Sequence, residues 1–565
     1  MEVENKIKEA ITKITGLKKV DIVLEIPKSE FGDYSFACFI LARKEKKNPN
    51  AIAKEMAAKI KAKLPKEIEK VEAVGGYINF FINNSYLTKL TVNKILEEKE
   101  KYGSLDIKQK DNALIEHTSI NPNSSPHVGR IRNALIGDVL ARLLKFHGYK
   151  TEVHYYVNDV SKQMALLVLG SEGNETFDDL LNLYVAMSEK MEQEPETEKQ
   201  VFEILRKIED NDKDTKAKLN KLVRTAIEGQ IEILSMLGIN YDFFDYESAY
   251  LEKGKLKDIL NKLEKTKRMK KDVEGRYILD QSNMSWQFEK EMKSPILVLT
   301  RSDGTGLYIL RDIAYTIDKM KKAKTNIIVL GEDQKLYFKQ LCASLHLLGY
   351  QYPEIVHYSF VLLNTKQGAK KMSTRKGEVI LVSDFIKEAM EKAEKEIKKR
   401  KRQGKVDMKK VAKAVAIGAI RYGMTKVEEN KSIVFDWQEA LNFEGNSAPY
   451  LQYVHARASS ILNKLGKEKL QVPKYEKIDE KEFALVKELA NFPKISHAAM
   501  EQLKPYLLCN YVYALAQKFN DFYESCPVIK ADKGIKERRI LLVQATKQVL
   551  ANVLGLIGVP VLEVM

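Results

Sequence analysis

The 565-residue chain has only four cysteines, Cys38, Cys342, Cys509 and Cys526, none of them at metal-site spacing. Neither a disulfide scaffold nor a structural zinc site is therefore expected. Long apolar runs are also missing. The longest, Val549 to Val564, is interrupted by Asn552, Gly555, Gly558 and Pro560, and is too short and too punctuated to span a bilayer. The opening Met-Glu-Val-Glu-Asn-Lys starts a charged amphipathic helix and lacks the apolar core of a signal peptide. Together these absences predict a cytoplasmic protein with no membrane partner. Internal repeats and long low-complexity tails are absent too, which leaves an ordinary globular chain.

Hydrophobic residues make up 44% of the chain and charged residues 30%, with 94 Lys and Arg against 78 Asp and Glu, for a net charge of +16. At roughly 150 residues per domain, the length predicts three or four domains. The positive balance favours a polyanionic partner such as nucleic acid, with a lysine-rich solvated surface as the plain alternative.

The first hundred residues form a small α+β module by pattern. A helix is expected from Val3 to Ile14, and a second after Asn48 with Ile52, Met56, Ile60 and Leu64 on one face. Phe31–Ser35 is expected to be a turn-rich loop, Gly76–Phe81 a strand, and residues 98–112 a linker. The texture then becomes α/β: strands at Ala113–Glu116, Val153–Val157, Ile296–Thr300, Leu307–Leu310 and Ile327–Leu330, with a helix at Ile131–Phe146. That alternation predicts a parallel sheet covered on both faces. Residues 172–235 form a charged helical insertion, Ile386–Lys405 a solvated helix, and from Val411 onward the pattern is helical.

Two motifs carry the chemistry. Ser119 to Arg130, ending Pro126-His127-Val128-Gly129-Arg130, lies between a strand and the helix behind it. At the carboxyl edge of a parallel sheet that junction is where nucleotides dock, because free N–H groups and the positive dipole end face the phosphate. Gly129 would admit a flat base, His127 can donate to an α-phosphate oxygen, and Arg130 adds charge. The second motif, Lys370-Lys371-Met372-Ser373-Thr374-Arg375-Lys376-Gly377, would clamp a polyphosphate with its cations. Taken singly, a ligand-free capping turn and an exposed basic loop explain them as well. The pair points to nucleotidyl transfer from ATP.

With these motifs the chain resembles the class I aminoacyl-tRNA synthetases, specifically the arginyl-tRNA synthetase family. Further matches are Ile115–Ser119, Arg132–Asp138, Tyr156–Asp159, Thr300–Thr305, Tyr308–Asp312 and Phe443–Arg457, so the resemblance covers essentially the whole chain. Arg130 in place of a second His is similar to the archaeal-type branch. The resemblance implies a Rossmann-like parallel-sheet catalytic domain (109–405, with the insertion at about 172–235), an N-terminal α+β module binding the tRNA elbow (1–108) and an all-α anticodon-binding bundle (406–565). It further implies a monomer whose partners are tRNA(Arg), ATP and L-arginine, and which activates arginine only once tRNA is bound.

By the same resemblance, His127, Arg130 and Lys371 are catalytic, and together with Gly129, Met372 and Ser373 they bind ATP. Asp312, Tyr308 and Glu247 are expected around the arginine guanidinium, with Asn121 and Gln334 on its α-ammonium. Tyr77 and Asn79 would contact the tRNA elbow, and Tyr450 and Tyr453 the anticodon. Asp312 as a helix cap, Tyr308 as core and Glu247 as a surface turn are the plain alternatives. Many family members have a Lys at one of the positions that are Ser124 and Thr374 here. Lys371 with Arg375 or Lys376 is expected to supply the missing charge.

Overall fold

The computed structural model describes residues 2–25, 27, 31–105, 111–251, 253–284, 292, 294–365, 368–370, 380–399, 407–465 and 471–565. The amino-terminal module contains α1 (Glu2–Thr15), β1 (Tyr34–Ala37), α2 (Phe39–Glu45), α3 (Pro49–Ala62), β2 (Ile68–Val74), β3 (Tyr77–Ile82) and α4 (Asn84–Glu98). α3 begins where the sequence predicts: Asn48 accepts the Asn50 N–H at 2.8 Å, and Pro49 takes a first-turn position that has no intrahelical donor to satisfy. Its Ile52, Met56 and Ile60 are buried. β2 and β3 meet at Gly75-Gly76, whose φ values of +56° and +82° are those that a two-residue hairpin requires. Part of the expected loop at Phe31–Ser35 is instead strand. Tyr34–Ala37 pairs antiparallel with Tyr77–Phe80, giving the sheet order β1-β3-β2. A run of four residues gains strand structure from a partner rather than from its own pattern.

The central part runs through β4 (Asn112–Glu116), α5 (Val128–Phe146), β5 (Lys150–Val157), α6 (Lys162–Gly170), α7 (Asp179–Gln193), α8 (Pro195–Glu209), α9 (Lys213–Met236) and β6 (Phe243–Tyr246). It continues with α10 (Lys253–Glu264), β7 (Met269–Lys271), β8 (Tyr277–Asp280), β9 (Ile296–Val298), α11 (Tyr308–Lys322), β10 (Thr325–Gly331), α12 (Lys335–Leu347) and β11 (Glu354–Tyr358). Five strands form a wholly parallel sheet in the order β11-β10-β4-β5-β6. The chain leaves β4 toward β5 on one side and returns on the other as β10, so the strand order reverses between β4 and β10. Ligands dock beyond such a switch point.

Two strand expectations fail here. Leu307–Leu310 is the start of α11, because Ile309, Leu310, Ile313, Ala314 and Ile317 form one buried helical stripe that a four-residue window cannot show. Ile296–Val298 is a strand, but of a separate antiparallel sheet, β7-β8-β9.

The remainder comprises β12 (Val361–Thr365), β13 (Gly368–Lys370), α13 (Val382–Lys399), α14 (Met408–Thr425), β14 (Ile433–Phe435), α15 (Trp437–Ala440), α16 (Ala448–Asn463), α17 (Glu480–Glu501), α18 (Tyr506–Ser525) and α19 (Ile535–Leu556). α13 is not solvated all round: Phe385, Ile386, Ala389, Ala393 and Ile397 are buried. Among the described residues no helix is long and apolar enough to cross a membrane.

Two fully buried arginines join the parts. Arg132 of α5 donates to the carbonyl oxygens of Ser359, Met424, Val427, Glu428 and Lys431, at 2.7–3.2 Å. Arg421 of α14 pairs with Asp138 of α5 and donates to the carbonyls of Leu237 and Ile557, at 2.7 and 2.9 Å. Gly558, at φ +69°, closes over Arg421 so tightly that a Cβ there would lie 2.1 Å from the guanidinium. Replacing Arg132 by Met leaves several buried carbonyls without donors, so Arg132→Met should destabilise the protein by about 3 kcal/mol or more. A thermal midpoint within a degree of the unsubstituted protein would refute this.

Candidate active site

A cavity of about 680 Å³ opens at the carboxyl ends of β4 and β10. The chain leaves β4 through two non-glycine residues in the left-handed region, Thr118 at φ +86° and Ser119 at φ +43°. Such backbone costs on the order of 1 kcal/mol per residue and persists only where neighbours hold it. Here the Thr118 N–H donates to Asn133 Oδ1 at 2.9 Å, and the Thr118 hydroxyl meets both Tyr241 OH and His117 Nδ1. Asn133 also donates to the Val329 carbonyl at 3.0 Å, which ties α5 to β10. Gly137 makes the arrangement possible, since a Cβ there would come within 2.3 Å of the His117 ring.

The turn delivers His127 to the N-terminus of α5 in an extended conformation, with no cap made by its side chain. Its Nδ1 is buried and has no hydrogen-bond partner among the described residues. Burial, and secondarily the charge of Arg130, lowers its pKa to about 4, so the ring is neutral near pH 7. Arg130 and Gly129 also line the cavity, and Arg130 Nη2 lies 4.0 Å from Asp333 Oδ2. Lys371, Met372 and Ser373 fall outside the described residues, as do Thr374, Arg375 and Lys376. Both flanks of that segment are placed. β13 pairs with β12, while the Val128 N–H donates to the Ile380 carbonyl at 3.0 Å and the Val382 N–H to the Pro126 carbonyl at 2.8 Å. Ile380 and Val382, which follow the basic motif in the chain, are thereby tied to the His127 turn.

The opposite wall comes from the first turns of α11 and α12. Tyr308 and Asp312 are four residues apart and share one face of α11. Asp312 accepts from Tyr156 OH at 2.9 Å and from Tyr337 OH. Burial raises its pKa, and the two phenol donors oppose that shift. Tyr308 is exposed, its ring 5.3 Å from that of Tyr337. Asn121 donates to Gln163 at 2.7 Å, and Gln334 stands in the turn after β10; both line the cavity. Beneath them Glu116 pairs with Lys319, both buried, and Tyr315 OH lies 2.9 Å from Glu116 and from Asp245.

The structure therefore gathers Asn121, His127, Gly129, Arg130, Tyr308, Asp312 and Gln334 around one cavity. Glu247 is not on its wall. It is 2% exposed and accepts from Arg311 Nε at 2.6 Å. Nor is it a surface turn residue, and burial pushes its carboxyl up to about 8 against the opposing charge of Arg311. Away from the cavity, Tyr77 is half-buried, 5.2 Å edge-on to Phe39. Asn79 is buried and accepts from the Ser35 hydroxyl at 2.8 Å. Tyr450 OH accepts from Asn520 at 2.8 Å, and Tyr453 OH from Arg457 at 3.1 Å. Sequence reasoning missed the two tyrosines that hold Asp312. Tyr156 sits in a matched motif but had no assigned role, and Tyr337, three residues after Gln334, carried no signal.

A parallel sheet with this cavity beyond its switch point and a histidine-glycine turn at the head of α5, in a sequence that also carries the Lys-Met-Ser motif, places the chain among the class I aminoacyl-tRNA synthetases. The comparisons narrow that class. The model for the catalytic domain of class I (R) tRNA synthetases matches residues 91–437. The arginyl-tRNA synthetase N-terminal domain matches 1–82 and the DALR anticodon-binding domain 451–565. The arginine–tRNA ligase of Methanocaldococcus jannaschii is 39% identical, over 98% of both chains. That of Thermococcus sibiricus is 34% identical, over 96% of this chain and 94% of its own. The solved Thermus thermophilus arginyl-tRNA synthetase superposes with a TM-score of 0.83 at 29% identity, covering 100% of this chain and 99% of that one. The chain belongs to the arginyl-tRNA synthetase family, and with it to the aminoacyl-tRNA ligases.

His117 is fully buried beside the cavity, and its pKa too is lowered to about 4 by burial. Below pH 6.5 the unfolded chain binds protons on His117 and His127 that the folded chain refuses. Their stabilising contribution is complete above about pH 6.5 and is lost as the pH falls toward 4. His117→Asn should flatten the acid limb of a plot of melting temperature against pH. An unchanged limb would contradict the neutral, buried assignment.

Proposed function

We propose that the cavity joins arginine to ATP and then to tRNA(Arg) in two steps. The arginine carboxylate attacks the α-phosphorus, giving arginyl-adenylate and pyrophosphate, and a terminal ribose hydroxyl of the tRNA then displaces AMP. Neither step needs a protein nucleophile, so catalysis rests on positioning and on stabilising the charge that develops on phosphate. Asp312 receives the guanidinium with Tyr308 alongside, and Asn121 and Gln334 take the α-ammonium. His127, neutral at the α5 N-terminus, donates to the phosphates, with Gly129 beneath the nucleoside and Arg130 adding charge. Lys371, Met372 and Ser373, assigned by sequence, complete the hold on the Mg²⁺–ATP substrate. Tyr77 and Asn79 meet the tRNA elbow and Tyr450 and Tyr453 the anticodon loop, in a monomer working in the cytoplasm.

The observation that carries this reading is Asp312. Two phenolic hydroxyls hold both its oxygens in the cavity that also contains the His127 turn. A neutral side chain bound there would leave that carboxylate buried and uncompensated, which disfavours it strongly.

ATP–pyrophosphate exchange with each of the twenty amino acids, with and without tRNA, tests the reading. Exchange should appear with arginine alone among them, and only with tRNA present. Asp312→Asn should raise the KM for arginine on the order of 100-fold while the KM for ATP stays nearly constant. Exchange with another amino acid, or an unmoved arginine KM in the variant, would discard it. At the elbow, Tyr77→Ala should raise the KM for tRNA several-fold and leave that for arginine unchanged. An unmoved tRNA KM would remove Tyr77 from the interface.

A further inference from the structure

Glu209 is the last residue of α8, within the helical insertion, and its side chain is only 11% exposed. A carboxylate at a helix C-terminus opposes the helix dipole, so the position does not serve α8 itself. It serves two arginines from elsewhere. Arg301 grips both Glu209 oxygens through its two terminal nitrogens, at 2.9 and 3.2 Å. Arg311 Nη1 lies 3.8 Å from Glu209 Oε1 while its Nε donates to Glu247 at 2.6 Å.

These two arginines bracket the recognition wall. Arg301 opens the tight turn Arg301–Thr305, closed by backbone hydrogen bonds of 2.8 and 3.0 Å just before α11. Arg311 is the residue before Asp312, inside the first turns of α11. Tyr308 lies between them. On the far side, Glu247 follows β6, and the Ser248 N–H donates to the buried Asp159 at 2.8 Å. Asp159 and Asp312 lie within electrostatic reach of Arg311, which is ion-paired with Glu247 and with Glu209, the latter also binding Arg301.

We propose that Glu209 is a positioning residue for amino-acid recognition: by gripping Arg301 and Arg311 it fixes the first turn of α11, and through Arg311 it holds Glu247, so that Tyr308 and Asp312 face the arginine substrate. The helical insertion, which also contributes Tyr184 to the cavity lining, thereby sets the geometry of the pocket through a residue that does not itself line it. The proposal rests on the reading of Asp312 as the guanidinium acceptor.

The test is steady-state tRNA charging by the full-length protein, with separate KM values for arginine and ATP and a melting curve for each variant. Glu209→Gln should raise the KM for arginine about tenfold and leave that for ATP within twofold. Glu198→Gln on the same helix, which removes its exposed ion pair with Lys162 of α6, should change neither. The decisive variant exchanges the charges, Glu209→Arg with Arg301→Glu. It restores the ion pair between insertion and turn but places a cation beside Arg311, so the melting temperature should recover while the arginine KM stays high. Recovery of the arginine KM in the exchanged protein would show a merely structural contact and overturn the proposal, as would an arginine KM within twofold of normal in Glu209→Gln. Should Glu209→Gln not fold, Arg301→Lys, which keeps the charge and loses the fork, replaces it under the same criteria. If the unsubstituted protein does not prefer arginine, it is the functional reading that fails.

Discussion

Helix α5 carries the constraint on which the site depends. Its N-terminus presents His127, Gly129 and Arg130 to the cavity, and the next two turns fix where that terminus points. Arg132 binds five carbonyls, Asn133 holds both the strained Thr118 and β10, Gly137 admits His117, and Asp138 pairs with Arg421. An arginine without water is costly unless every donor is used, and Arg132 meets that condition only when α5, α14 and the segment before β14 are all in place. The helix whose N-terminus opens on the cavity is therefore seated by the C-terminal helices themselves. A displacement of α14 has no way to spare the His127 turn.

The two acidic residues expected at the guanidinium illustrate how similar side chains take different roles. Asp312 is held by neutral donors, two phenolic hydroxyls, which orient the carboxylate without cancelling its charge. Its negative charge remains available to a cationic ligand. Glu247 is held by Arg311, and that ion pair is complete in itself. A second guanidinium brought to Glu247 would compete with one already bound. The partner, more than the burial, decides which carboxylate is left open to the cavity and which is committed to an ion pair.

Much of the architecture was legible in the sequence because its signals are local. The N-cap at Asn48, the periodicity of α5 and the α/β alternation all operate within a dozen residues, and the three-part organisation followed from the family motifs. The errors arose where partners are distant. Tyr34–Ala37 is a strand only because Tyr77–Phe80 lies beside it. Leu307–Leu310 became helix because its apolar residues continue at Ile313 and Ile317. In the site, Asn121, His127, Asp312 and Gln334 could be placed from motifs, whereas the tyrosines that hold Asp312 could not. Tyr156 and Tyr337 come from strands and helices about 180 residues apart in number, and no spacing rule links them.

The cavity floor shows what such a site costs. Glu116, Lys319, Tyr315, Asp245 and His154 form a chain of buried or half-buried polar groups where apolar side chains would pack with less penalty. Left-handed backbone at Thr118 and Ser119 adds strain directly above it. Both features lie at the carboxyl edge of the sheet, where the substrate groups must be met, while the far faces of the same strands are packed with Ala113, Ile115, Val153 and Ile327. The stability that tolerates this edge comes from the apolar packing and from the arginine-centred joints behind it. Loosening either would be felt at the strained turn, since that turn persists only where its neighbours hold it and it supports the residues that line the cavity.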